Sequence, residues 1–163
     1  MMPQYLETIG LIGRLHKLFL ELVNDELAAM NAHDLTNAQG LILYYLEGEQ
    51  LTATDVMHRG YYLGSNVTYN LRKLADNGYI DIEKADHDRR CIRIQLTERG
   101  QEVARNLEAA FARHADGLRD MTLTPGELDA SVRHWRQLER FWSTLRPAEV
   151  PDQAAPRQRS RAA

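Results

Sequence analysis

At Gly78 the spacing of apolar residues changes. Before it they recur every three or four positions; after it, in Tyr79-Ile80-Asp81-Ile82-Glu83 and again in Cys91-Ile92-Arg93-Ile94-Gln95-Leu96, they alternate. A period near 3.6 belongs to a helix, and a period of 2 to a strand with one wet face. The polar stretch from Lys84 to Arg90 joins the two alternating runs, so they read as a β-hairpin with a charged tip. Gly78 supplies the left-handed stop of the helix before it. A single hairpin set into an otherwise helical chain of 163 residues leaves few folds open.

The helices follow from the same periodicity. The first runs from about Gln4 to Met30 and carries two apolar stripes, Tyr5, Ile9, Ile12, Phe19, Val23 and Leu27 on one side and Leu11, Leu15, Leu18 and Leu22 on another. A helix with one packing partner needs one stripe; two suggest a second partner, such as another subunit. Thr36-Asn37-Ala38-Gln39 is a capping box opening a second helix that continues to about Glu47, with Leu41, Ile42, Tyr45 and Leu46 inward. Two short helical segments follow, near Thr54–Arg59 and Ser65–Asn77, with Val67, Leu71 and Leu74 inward on the latter. Beyond the hairpin, Thr97 caps a helix with the stripe Val103, Leu107, Ala110, Phe111 and Leu118. Thr124-Pro125-Gly126-Glu127 then opens a last helix with Leu128, Val132, Trp135, Leu138, Trp142 and Leu145 inward. Ala148–Ala163 has no periodicity and reads as a disordered tail. The order is that of a winged helix-turn-helix: mainly α with a small β-hairpin wing.

Charge excludes several classes of function. The net charge is −3, so a uniformly basic coat for nucleic acid is absent and any contact with a polyanion must be local. Residues 1–50 hold 2 basic and 7 acidic side chains, whereas residues 51–96 hold 7 basic and 6 acidic, which points to the middle block. The single cysteine, Cys91, cannot form an internal disulfide, and the six histidines show no ligand spacing, so neither a metal nor a cofactor is expected. No apolar run approaches ~20 residues, and Glu7 stands where a signal peptide would be basic, giving the expectation of a soluble, cytoplasmic protein without membrane contact. With no nucleophile elbow, phosphate loop or paired carboxylates, an enzyme is not expected.

In a winged helix-turn-helix the second helix of the pair enters the major groove. Its outward side chains here are Ser65, Asn66, Thr68, Tyr69, Arg72 and Lys73: hydroxyls and an amide for base edges, an aromatic for thymine methyls, and two cations for phosphates. Alone, that set would equally suit a solvated helix face. The hairpin tip adds Asp88, Arg89 and Arg90, and an arginine there can enter the minor groove while Asp88 orients it.

Taken together, Val67-Thr68, Leu71 and Leu74 leading into Gly78-Tyr79-Ile80, then Asp88-Arg89-Arg90, then Leu96-Thr97-Glu98-Arg99-Gly100 resemble the DNA-binding core of the MarR family of bacterial transcription regulators. The likeness covers roughly residues 5–146, and Arg59–Leu71 resembles a smaller group that includes a regulator of L,D-transpeptidase and cell-wall stress genes. It implies residues 1–34 as an N-terminal dimerisation helix, 35–97 as the DNA-binding lobe and 98–147 as C-terminal dimerisation helices, with 148–163 the tail. It also implies a homodimer on a pseudo-palindromic operator of double-stranded DNA, its two recognition helices about 34 Å apart. Most often such a regulator is a repressor, released by a small lipophilic or phenolic effector. His16, Phe19, Tyr44 and Tyr45 are the candidate effector residues, with a hydrogen-bonded core histidine and core tyrosines as the plainer reading. The chain departs from the family in placing Tyr61 and Tyr62 in the turn between the short helices, and Glu83 and Asp86 near the tip. The alternative is a winged helix serving as a protein-interaction module, in keeping with the net acidity.

Overall fold

The computed structural model describes residues 1–47, 51–52, 66–84, 92–119, 121 and 123–145. In chain order these form α1 (Met2–Ala29), α2 (Asn37–Leu46), β1 (Leu51–Thr52), α3 (Val67–Asp76), β2 (Ile80–Lys84), β3 (Ile92–Leu96), α4 (Glu98–Arg119) and α5 (Pro125–Leu145). The short helix expected near Thr54–Arg59, the connection through Gly64, Ser65, the hairpin tip with Asp88, Arg89, Arg90 and Cys91, and the tail lie outside the described residues. The protein is mainly α with a small antiparallel hairpin. Residues 1–117 form one compact unit and those from Leu118 onward a second.

Local chemistry sets the element ends. The Thr36 hydroxyl accepts from the Gln39 backbone N–H at 3.3 Å, and the Gln39 side-chain oxygen accepts from the Thr36 N–H at 3.0 Å. Both halves of the capping box are thus made, and orphan donors at the start of α2 are satisfied. Gly78 closes α3 with φ of +73°, where a Cβ would be strained. Thr124 and Glu127 repeat the capping box at α5, and the two hydrogen bonds Glu127 receives from Thr124, backbone first, hold its carboxyl below the usual range.

The core of the first unit is assembled from residues distant in sequence. Val23 and Leu27 of α1, Leu41, Ile42, Leu43 and Leu46 of α2, Val67, Leu71 and Leu74 of α3, Ile80 and Ile94 of the hairpin, and Val103 and Leu107 of α4 are all buried. Glu26 of α1 ties to α4 twice, accepting from Arg113 at 2.9 Å and lying 3.1 Å from His114 Nε2. The sheet has three strands in the order β1-β3-β2, with Leu51 opposite Ile94 on one edge of β3 and Ile82 opposite Ile94 on the other. β1 was not expected, because two residues are too few to show a period.

Two apolar faces stay open on this chain. Leu11, Leu15, Leu18 and Leu22 of α1 are all exposed, with Leu18 at 55%. On α5, four of the six residues read as inward, Leu128, Val132, Trp135 and Leu145, are exposed, while Leu138 and Trp142 are half-buried and no residue of the helix is fully buried. Leu118 of α4 is likewise exposed. Periodicity reports that a face wants cover and says nothing about which chain supplies it.

Candidate nucleic-acid interface

α3 is short, and its two faces differ in kind. Val67, Leu71 and Leu74 point into the core, while Asn66 at its N-cap and Thr68, Tyr69, Arg72 and Lys73 along the helix are exposed. Tyr69, 57% exposed, is a large aromatic ring standing in solvent. These five residues form one outward face, the face expected to meet the duplex; Ser65 lies outside the described residues.

The rotation of α3 is fixed by a contact that the sequence did not announce. Asn70, on the inner side and 8% exposed, accepts from the Gln39 side-chain N–H at 3.4 Å, and Gln39 is itself buried. One amide of Gln39 therefore caps α2 and reaches α3. A buried amide without a partner is costly, so this pair holds the inner face of α3 in register and the polar face outward. Helical spacing alone places Asn70 at the edge of the apolar stripe, and only its buried partner distinguishes it from a surface asparagine.

The hairpin rises from the end of α3 through Asn77, Gly78 and Tyr79. Its register sets Ile80 opposite Leu96, Asp81 opposite Gln95, Ile82 opposite Ile94 and Glu83 opposite Arg93. The acidic Glu83 is thus faced by a cation across the strands, which offsets its charge. Ile80 and Ile94 are buried, but Ile82 is 42% exposed, so the hairpin leaves the core as it approaches its tip.

A polar joint fastens the base of the hairpin. The Tyr79 hydroxyl donates to Asp34 Oδ1 at 2.8 Å, Arg99 Nη2 pairs with Asp34 Oδ2 at 3.2 Å, and Arg99 Nη1 donates to the Asn77 carbonyl at 2.8 Å. The Arg99 guanidinium also stacks 4.0 Å above the Tyr79 ring. Burial first, then the hydrogen bond to Asp34, pushes the Tyr79 hydroxyl up to about 12. Thr97 donates its hydroxyl to the Gly78 carbonyl at 2.7 Å and its N–H to the Tyr79 carbonyl at 3.1 Å. A Cβ on Gly100 would stand 2.1 Å from that same carbonyl oxygen, so only glycine lets α4 start this close. The run Leu96-Thr97-Glu98-Arg99-Gly100 is therefore a set of contacts to one corner.

Of the candidate effector residues, three meet in one aromatic cluster. Phe19 and Tyr44 both pack on Phe111, at 5.6 and 5.0 Å between centroids, and Tyr45 lies 5.5 Å from Tyr44. His16 is exposed on α1, which removes the core-histidine reading. Beside the cluster is an open depression of about 340 Å³ lined by Tyr44, Tyr45, Glu47 and Glu108. Desolvation, then the Glu108 charge, pushes the Glu47 carboxyl up, against an opposing pull from Arg105. Among the described residues no cluster of three or more His, Cys, Asp or Glu side chains could hold a metal ion, and no helix is long and apolar enough to cross a membrane.

Residues 33–90 match the sequence profile of the MarR family. The chain is 29% identical over 138 residues to the exopolysaccharide II synthesis transcriptional activator ExpG of Rhizobium meliloti (strain 1021), covering 85% of this chain and 71% of that protein. In fold it resembles a Staphylococcus aureus MarR in complex with salicylate and kanamycin (TM-score 0.67, 19% identity, 86% of this chain and 93% of that one). It is also similar to Streptococcus pneumoniae FabT in complex with DNA (TM-score 0.65, 18% identity, 87% of this chain and 99% of that one).

Proposed function

We infer that this chain is a MarR-type winged-helix transcription regulator that binds a pseudo-palindromic operator as a homodimer through the outward face of α3 and the Asp88, Arg89 and Arg90 tip of its hairpin. The observation that carries the reading is the division of α3. An inner face locked by Leu71, Leu74 and the Asn70–Gln39 pair leaves Asn66, Thr68, Tyr69, Arg72 and Lys73 outward beside an antiparallel hairpin. Amide, hydroxyl and aromatic groups suit base edges, and the two cations suit phosphates.

The dimer is supported by the leucines that α1 leaves exposed and by the open apolar face of α5. Residues 1–34 and 98–147 are accordingly assigned to dimerisation and 35–97 to DNA binding. A DNA-binding role supports a cytoplasmic location. Repression is the sign expected from the family, while the ExpG relative, named as an activator, supports activation as the second reading. The resemblance of Arg59–Leu71 to the cell-wall stress group and the exopolysaccharide role named for ExpG both support target genes of the cell envelope. For the effector, the salicylate and kanamycin held by the S. aureus relative support a small-molecule site, and the cluster of Phe19, Tyr44 and Tyr45 is its candidate place. The carboxylates of Glu47 and Glu108 favour a neutral or cationic aromatic over a phenolate there.

Footprinting on the gene's own upstream region, followed by titration of the protected duplex at several salt concentrations, tests the reading. Two protected half-sites about one helical turn apart and a steep fall of affinity with salt are expected. Little binding at any salt would make the chain a protein-interaction module. Transcription of that promoter in vitro, with and without the protein, then separates repression from activation.

A further inference from the structure

Arg99 touches no part of the proposed groove-reading face, yet it joins three segments at one point. Its Nη1 holds the carbonyl of Asn77, the C-cap residue of α3. Its Nη2 holds Asp34, in the connection that follows α1, and its planar group covers the Tyr79 ring at the foot of β2. Tyr79 closes the loop by donating to the other oxygen of Asp34. The turn from α3 into the hairpin is made by Asn77, Gly78 and Tyr79, and Arg99 grips it on both sides. Gly100, which admits the Tyr79 carbonyl against the start of α4, removes the remaining slack.

Such a cluster is a weak stabiliser, because Arg99 and Asp34 are 55% and 42% exposed and exposed ion pairs contribute little. As a geometric constraint it is strong: a planar guanidinium with two directional hydrogen bonds and a stacked ring has one orientation. Resting on the DNA-binding reading above, we propose that Arg99 is a positioning residue for operator binding, holding the corner between α3 and the hairpin at the angle at which helix and wing reach the duplex together. Asp34 is its anchor. An operator contacted by both elements feels a change of that angle, whereas a random duplex held through phosphates adapts to it.

Operator and random-duplex affinities of the full chain, measured against salt for R99A, R99K and D34N, test this. R99A is expected to lose about tenfold on the operator and under twofold on random duplex, with its salt slope unchanged. R99K, which keeps the charge and loses the fork, should recover only part of the loss. D34N should lose affinity in the same direction, and the double variant R99A/D34N should be no worse than R99A, since both act through one joint. In the free protein, amide exchange at residues 79–82 should rise in R99A and D34N while that of α2 stays fixed, a readout that needs no DNA. Equal losses on both duplexes, or a salt slope lower by ~1.8 (one contact from each subunit), would make Arg99 a direct phosphate contact and overturn the proposal. Unchanged operator affinity in R99A, or in D34N should R99A fail to fold, would overturn it as well. Wild-type protein that binds no duplex would sink the DNA-binding reading, and the proposal with it.

Discussion

α1 and α3 are both amphipathic, and what they leave outside is opposite. α3 buries its leucines and exposes Asn66, Thr68, Tyr69, Arg72 and Lys73; α1 buries Val23 and Leu27 near its C-terminal end and exposes Leu11, Leu15, Leu18 and Leu22 along the rest. A solvated polar face is stable as it stands. A row of leucines in water is not, since covering apolar surface yields roughly 25 cal/mol per Å². The same folding rule thus leaves two kinds of surface outside, a polar and cationic one on α3 and an apolar one on α1.

Charging the α1 face should give the largest effect. L15E/L18E is expected to shift sedimentation to the monomer and to lower operator affinity by on the order of 100-fold or more, while the melting curve of the monomer keeps its cooperativity. A variant that stays dimeric would place the interface elsewhere. Next comes the α3 face: R72A/K73A should lower operator affinity by about 10–100-fold and reduce the salt slope by up to roughly 4, two cations being lost from each of two subunits, with dimerisation untouched. A loss of dimer instead would erase the distinction between the two helices.

The inner side of α3 can be separated from the outer by N70L, which leaves the Gln39 side-chain N–H buried without a partner while its oxygen still caps α2. A loss of about 1–3 kcal/mol in denaturant unfolding is expected, larger than for T68A on the outer face. The smallest effect concerns pH. Tyr79 holds its proton in the folded chain up to about 12, above the ordinary value of 10.0. Between those values the unfolded chain has lost the proton and the folded chain keeps it, so this contribution is complete below pH 10 and declines as pH rises toward 12. Y79F should flatten that decline. An identical alkaline limb in Y79F would assign it to other groups.

The parts legible in the sequence are those written within a few residues. The capping boxes at Thr36 and Thr124, the stop at Gly78 and the change to alternation after it rest on neighbours three or four positions apart or on a single backbone angle, and the structure contains each of them. The outward set of α3, Ser65 apart, followed from the same periodicity. β1 escaped notice because it is two residues long. Four residues of the α5 stripe, Leu128, Val132, Trp135 and Leu145, were legible as apolar and misread as inward, since spacing does not tell which apolar residues are covered.

By itself, then, the sequence determined the kinds of element and the chemistry each presents: a mainly helical chain, one hairpin, a polar-cationic helix face, and leucine rows in excess of one chain's needs. Only the tertiary structure decided which distant groups meet. Gln39 reaches Asn70 across 31 positions and Tyr79 reaches Asp34 across 45, and Gly100 owes its identity to the Tyr79 carbonyl rather than to its own backbone angles. Local preferences are set by interactions along the chain and repeat with its period. Pairings between distant residues depend on how whole elements pack, and no period encodes them.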